Sequence, residues 1–234
     1  MMKFGLVRTS LIDYPGEVAA VLFTRGCNLR CPYCHNPELV TGPEPGGMLG
    51  TEEVLAFLGR RKAVLGGVCV SGGEPLLHQE LPAFLREIRR MGLKVKLDTN
   101  GTLPDALRRV EADYIAMDLK TLPERYGLLA AGGESFAEAV RESAEYIKGN
   151  GCDHALRTTA APGIFGPEDI PGMAALVRGA RRYVLAAFRP GETLDPDYGR
   201  DTAPYTQEEL LAFQRDFRAR GVDCRVRGIS GEGT

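Results

Sequence analysis

The sequence predicts an α/β fold built on parallel strands, and three observations carry that reading. Short apolar runs alternate along the chain with segments of helical periodicity. Composition is even throughout, with no linker and no repeat at solenoid periods. The 234 residues, 44% hydrophobic and 26% charged, suit one substantial globular domain. Val18–Thr24 is the first apolar run, ends at Gly26, and reads as a strand buried on both faces. Thr51-Glu52-Glu53 opens a helix with acids in its first turn and Val54, Leu55 and Leu58 as its apolar stripe. Gly67–Ser71 is the second strand, and Leu81–Met91 a helix closed by Gly92. Lys94–Thr99 is the third strand, with Asn100-Gly101 as its turn, and Pro104 opens a short helix through Val110.

Tyr114–Leu119 is the fourth strand, and Ser135 caps a helix that runs to Lys148 before Gly149-Asn150-Gly151. Ala155–Thr159 is the fifth strand, followed by a helix over Pro167–Arg178 interrupted near Pro171-Gly172. Arg182–Phe188 is the sixth strand, Thr206–Arg220 a strongly periodic last helix, and Val222–Val226 a short final strand. Strict alternation demands a parallel sheet with right-handed crossovers. Six βα units are too few to close an eight-stranded barrel, so periodicity leaves a partial barrel and a doubly wound sheet equally open. Either arrangement gathers ligands at the carboxyl ends of its strands.

Lys and Arg total 29 against 31 Asp and Glu, a net charge of −2, so nucleic acid is not the expected partner. The longest apolar runs are too short to span a bilayer, and the first residues lack the apolar stretch of a secretory signal. The expected setting is soluble and cytoplasmic, with no membrane partner. Three of six cysteines (Cys27, Cys31, Cys34) fall within eight residues, while Cys69, Cys152 and Cys224 are scattered. A tight trio in a chain with a full core reads as a metal or cluster site rather than a disulfide framework. Three thiolates are one short of a closed zinc site or a fully ligated iron–sulfur cluster. His35 can fill the vacancy as a Cys3His zinc site, or the fourth position can be left to a ligand.

The pattern Cys27-x3-Cys31-x-Tyr33-Cys34 resembles the signature of the radical S-adenosylmethionine (radical SAM) enzymes. The resemblance implies a [4Fe–4S] cluster on Cys27, Cys31 and Cys34, with SAM chelating the fourth iron. It also implies cleavage of SAM to methionine and a 5′-deoxyadenosyl radical that abstracts hydrogen, chemistry that the cofactors supply and the protein aims. Further segments match in order. Gly72-Gly73-Glu74-Pro75 resembles the family's segment for the SAM amino group. Asp98-Thr99-Asn100-Gly101 resembles the support of the ribose and methionyl end. Asp118-Leu119-Lys120 and Arg157 supply charged groups at the next strand ends. The cofactor contacts expected from the resemblance are therefore Tyr33 (against the adenine), Cys34, His35, Gly72, Gly73, Glu74, Asp98, Asn100, Asp118, Lys120 and Arg157. It selects a partial (β/α)6 barrel and makes residues 1–234 a single radical SAM domain.

Cys69, Cys152 and Cys224 offer no second cluster, so the reducing electron is expected from a flavodoxin or ferredoxin. The lean chain and Cys34-His35-Asn36 resemble the activases of glycyl radical enzymes. Thr9–Gly16 and Phe188-Arg189-Pro190-Gly191 are similar to those serving anaerobic ribonucleoside-triphosphate reductase. Pyruvate formate-lyase activases carry Gly at the position of Tyr14 and a His near Phe188, which leaves the last SAM contact open, with Arg189 as a candidate. The resemblance also allows a monovalent cation near Asp98 and Asp118. Two other readings stand beside it: a small-molecule enzyme such as a 7-carboxy-7-deazaguanine synthase, and a zinc-binding interaction module. His78 and His154 read as packing or surface histidines.

Overall fold

The computed structural model describes residues 2–43 and 45–229, and the chain forms two compact units. The first comprises Met1–Asn28, Asn36–Thr99 and Leu103–Ala116. It contains β1 (Lys3–Ser10), β2 (Ala19–Thr24), α1 (Pro37–Val40), β3 (Leu49–Gly50), α2 (Thr51–Arg61), β4 (Gly67–Gly72), α3 (Leu81–Arg90), β5 (Lys94–Thr99) and α4 (Pro104–Leu107). β2 pairs parallel with β4, and β4 with β5, in the registers Leu22↔Val70 and Val70↔Leu97. Their apolar residues are buried on both faces, as expected for central parallel strands. Leu81, Phe84, Leu85 and Ile88 form the buried stripe of α3, and Phe84 stacks on Phe4 at 4.7 Å.

β1 and β3 depart from the strictly parallel sheet that the alternation demands. β1 pairs antiparallel with β2 and with β3. Its sequence, KFGLVRTS, is buried only at Phe4 and Ser10 and includes Lys3 and Arg8, so it lacks the apolar run that marks a buried strand. β1 covers the flank of β2 that no parallel neighbour occupies, and the two-residue β3 pairs on its other side, so that edge of the unit is very short.

β6 (Tyr114–Asp118) begins in the first unit and ends in the second. The second unit comprises Leu29–His35, Asn100–Thr102 and Met117–Thr234. It holds α5 (Ala137–Gly149), β7 (Asp153–Ala160), α6 (Ile170–Val177), β8 (Tyr183–Ala187), α7 (Pro196–Asp201), α8 (Gln207–Ala219) and β9 (Cys224–Arg227). β7, β8 and β9 pair in parallel, and Phe217 of α8 packs on Tyr183 at 4.8 Å. Thr206 and Glu209 cap α8 reciprocally. The six βα strands foreseen are thus all present as β2, β4, β5, β6, β7 and β8.

Two local expectations are corrected. α5 starts after Phe136, with no side-chain cap from Ser135. The helix over Pro167–Arg178 is broken before Ile170, where a 3-10 turn (Pro167–Asp169) precedes α6, and not at Pro171-Gly172. Pro171 falls in the first turn of α6, where a missing N–H removes no helical bond.

Cys69 and Cys224 are buried in β4 and β9. His78 Nε2 meets the Arg25 carbonyl at 2.9 Å. His154 is buried, donating from Nδ1 to the Cys152 carbonyl and accepting the Arg181 N–H at Nε2, both at 3.1 Å. Both are packing histidines. A second proton on His154 would break the Arg181 bond, and burial lowers its pKa below 6.5. The unfolded chain therefore takes up this proton first, so its stabilisation is complete above about pH 7 and declines as pH falls through 6.5. Urea unfolding between pH 7 and 5.5 should show a steeper loss of stability for the native protein than for His154→Gln. Equal slopes would show that His154 does not contribute.

Candidate radical site

In the first unit the expected site residues Cys27, Gly72, Gly73, Glu74 and Asp98 cluster where β2, β4 and β5 end. Gly72 has φ +120, and Gly73 lies so close to the strand end beside it that an added Cβ would fall 2.0 Å from the Gly26 carbonyl oxygen. The Gly73 N–H donates to Thr24 O (2.9 Å) and the Glu74 N–H to Gly26 O (2.8 Å). The Gly-Gly pair therefore clamps the backbone immediately before Cys27. Glu74 is fully buried, and its Oε1 accepts the Thr99 hydroxyl (2.9 Å) and the Leu76 N–H (3.1 Å). Asp98 is ion-paired with buried Lys96, whose ammonium also lies 3.3 Å from the Cys69 sulfur. Lys96 was not singled out from sequence, since its alternation with Asp98 looks like an ordinary exposed strand face.

In the second unit Cys31, Tyr33, Cys34 and His35 share one loop, pinned from a distant part of the chain. Cys34 O accepts the Leu194 N–H (2.8 Å), and Pro32 O accepts the Asp195 N–H (3.1 Å). His35 Nε2 donates to the Arg189 carbonyl at 2.9 Å, because a carbonyl can only accept. That nitrogen is thereby taken out of the Cys3His zinc arrangement. The His35, Phe188, Tyr198 and Tyr33 rings form a continuous aromatic run, with centroid separations of 6.1, 5.3 and 6.4 Å. Asp195 caps α7 by accepting the N–H groups of Asp197 and Tyr198. Neither Leu194 nor Asp195 was foreseen, because backbone donors leave no mark on residue type.

Asp118, Lys120 and Arg157 do come together. Arg157 Nε lies 2.6 Å from one Asp118 oxygen and Lys120 Nζ 3.0 Å from the other, and each side chain is less than a third exposed. Burial opposes charge on Asp118, but Arg157 and then Lys120 outweigh it and hold the carboxyl well below its ordinary range. Burial likewise opposes the Lys120 ammonium, which Asp118 and then Cys31 hold above its ordinary value. The three side chains carry one net positive charge, the complement of a single carboxylate. Tyr126, fully buried and missed from sequence, ties this group together. Its phenol oxygen accepts the Lys120 N–H (2.9 Å), and its O–H donates to the Asp118 carbonyl (3.3 Å). Asn100 Oδ1 instead accepts the Thr102 N–H (3.0 Å) and hydroxyl (2.7 Å), holding its own turn.

Comparison with known proteins shows the family of this chain. The sequence model of the Radical SAM superfamily matches residues 21–177, and the chain belongs to that superfamily. Membership makes it an enzyme whose cofactors are a [4Fe–4S] cluster and SAM. A Methanocaldococcus jannaschii protein named "Putative glycyl-radical enzyme activating enzyme" is 30% identical over 235 residues, covering 97% of this chain and 96% of its own. Pyruvate formate-lyase-activating enzyme of Staphylococcus epidermidis is 39% identical over 95 residues, 38% of each chain. 7-Carboxy-7-deazaguanine synthase of Hyperthermus butylicus is 36% identical over 96 residues, 41% of this chain and 40% of its own. Among solved structures, QueE from Escherichia coli matches with a TM-score of 0.57 and 14% identity, covering 97% of this chain and 91% of that one. Streptococcus suis SuiB matches with 0.64 and 16%, covering 86% and 46%. These structures share the α/β fold with mostly parallel strands.

The donor set fits the family's cofactors. All three loop cysteines are free thiols. Among the described residues no three His, Cys, Asp or Glu side chains converge on a point that could hold a single metal ion. A four-iron cluster asks for no such convergence, since each thiolate binds a different iron. No helix among the described residues is long and apolar enough to cross a membrane.

Proposed function

We propose that this enzyme is an activase that removes a hydrogen atom from one glycine Cα of a partner protein, leaving a glycyl radical there. The match along nearly the whole length of the M. jannaschii protein carries the reading. Cys34-His35-Asn36, Tyr14 and Phe188-Arg189 favour anaerobic ribonucleoside-triphosphate reductase as the partner, with a flavodoxin or ferredoxin as electron donor. When bound, the cluster and SAM supply a one-electron cleavage to methionine and a 5′-deoxyadenosyl radical, which takes the glycine hydrogen to become 5′-deoxyadenosine.

The chain's own residues bind and aim. Cys27, Cys31 and Cys34 hold the cluster, within a single radical SAM domain. Tyr33, backed by Tyr198, packs against the adenine. Lys120 and Arg157, net positive beside Asp118, bind the methionyl carboxylate, while Gly72, Gly73 and Glu74 shape the pocket for its amine. Asp98, Asn100 and His35 complete the cofactor contacts.

The test is to mix anaerobically reconstituted, reduced protein with SAM and that reductase. The expected result is the doublet electron-spin signal of a glycyl radical, with 5′-deoxyadenosine formed in step. A reductase left without the doublet while SAM is cleaved overturns the partner. A second reading, a small-molecule radical enzyme, rests on the similarity to 7-carboxy-7-deazaguanine synthase. It predicts deuterium transfer from a small metabolite into 5′-deoxyadenosine with no protein partner present.

A further inference from the structure

The segment Thr9–Gly16 has a structure that the radical chemistry does not use. Ser10 Oγ donates to Asp13 Oδ2 (2.5 Å) and accepts the N–H groups of Ile12 and Asp13 (both 3.2 Å), closing a tight turn at the end of β1. Tyr14 is buried, its ring 6.1 Å from that of Tyr114. Every polar or aromatic member of the turn thus anchors it, and what the turn presents is Leu11 and Ile12, 75% and 77% exposed. Contiguous exposed apolar surface rimmed by polar residues marks interaction sites, whereas single exposed apolar side chains are ordinary. The turn also fixes them beforehand, which lowers the ordering cost of binding.

Beside this turn lies an open cavity of about 450 Å³ lined by Arg8, Thr9, Phe57, Arg60 and Arg61. Arg61 reaches the Thr9 hydroxyl at 3.3 Å. Among the described residues, none of the three arginines has a carboxylate partner. Asp13, Glu17 and Glu53 are engaged with Ser10, with Lys94 and with the amino end of α2. Three unpaired guanidiniums around one cavity repel one another, and an anionic partner relieves that repulsion. Ser10 pairs with Ala19, the first residue of β2, whereas Cys27 follows the last. The surface therefore lies at the end of β2 away from Cys27.

We infer that Leu11, Ile12 and the arginines Arg8, Arg60 and Arg61 form a docking surface for an acidic segment of the protein substrate. This rests on the reading that the substrate is a protein. Apolar prongs beside arginines and a half-buried aromatic are the composition of interface centres. A second copy of this chain is a poor occupant, because a two-fold interface brings each arginine group toward its own copy. A membrane is also disfavoured, since three charges fall short of the clusters of 4–8 that hold proteins to anionic lipid.

The test compares native protein, Leu11→Ser/Ile12→Ser and Arg60→Glu/Arg61→Glu, each carrying its cluster, for binding to anaerobic ribonucleoside-triphosphate reductase by calorimetry at low and high salt. Partner-free cleavage of SAM should be unchanged in both variants. The apolar variant should bind about tenfold more weakly. The charge-reversed variant should bind more weakly and lose most of its salt dependence. Native-like binding by both variants overturns the surface and leaves the activase reading intact. Native protein that neither binds the reductase nor installs a radical on it removes the reductase as partner, and this assignment with it. Two other results also overturn it. One is a native dimer that the apolar substitution makes monomeric. The other is co-sedimentation with phosphatidylserine vesicles that the charge reversal abolishes.

Discussion

Cys27→Ala, Cys31→Ala and Cys34→Ala should each yield a folded protein that no longer cleaves SAM. Loss of a group that merely supports a metal ligand costs roughly 10–100-fold in affinity or activity, so loss of a ligand itself is expected to exceed a hundredfold. The fold should survive. Cys27 and Cys34 are only half-buried, and the loop is held through its backbone by Leu194 and Asp195, bonds that an alanine side chain leaves in place. Iron and sulfide content, the brown absorbance and 5′-deoxyadenosine yield should fall together while circular dichroism is unchanged. Full iron content and full cleavage in Cys34→Ala would remove that residue from the ligand set.

Gly73→Ala should be strongly destabilising although it adds a single methyl group. Its Cβ would sit 2.0 Å from the Gly26 oxygen and 2.7 Å from its carbon. Those are backbone atoms, which cannot swing aside as a side chain can. Relief requires β4 and β2 to part where their ends exchange hydrogen bonds, at about 3 kcal/mol for overpacking of this kind. In a chain of this length that corresponds to a Tm lower by roughly 6–12 °C. Cys27 follows Gly26 directly, so iron uptake should fall with stability. Gly59→Ala is the matched control. Gly59 lies in α2 with open space around its Cβ, and the change should raise stability by about 0.5–1 kcal/mol. Equal melting temperatures for native protein and Gly73→Ala would contradict the clamp.

The parallel strands were legible because burial on both faces forces apolar runs such as Val18–Phe23, and helices α3 and α8 because their stripes and caps are local. β1 was not, since an outer antiparallel strand needs no apolar run. The charged group of Asp118, Lys120 and Arg157 could be anticipated because each residue ends or sits in a strand. Tyr126, which fixes two of them through one hydroxyl, carries no pattern of its own in a 3-10 turn. The bonds from Leu194 and Asp195 were equally invisible, for they use main-chain atoms that every residue possesses. What sequence hides here is the backbone partner, and what it shows is the side chain that must be of one kind.

The pinning of the cysteine loop has a consequence in time. Leu194 and Asp195 are synthesised about 160 residues after Cys34. At about 5–20 residues per second on the ribosome, their amides arrive some 8–30 s after the thiols. During that interval the loop lacks the bonds that hold Pro32 and Cys34 in place. Metal delivery to a finished loop must therefore wait for the last quarter of the chain. Cys34 in a nascent chain stalled before residue 194 should alkylate faster than the half-buried Cys34 of the released protein.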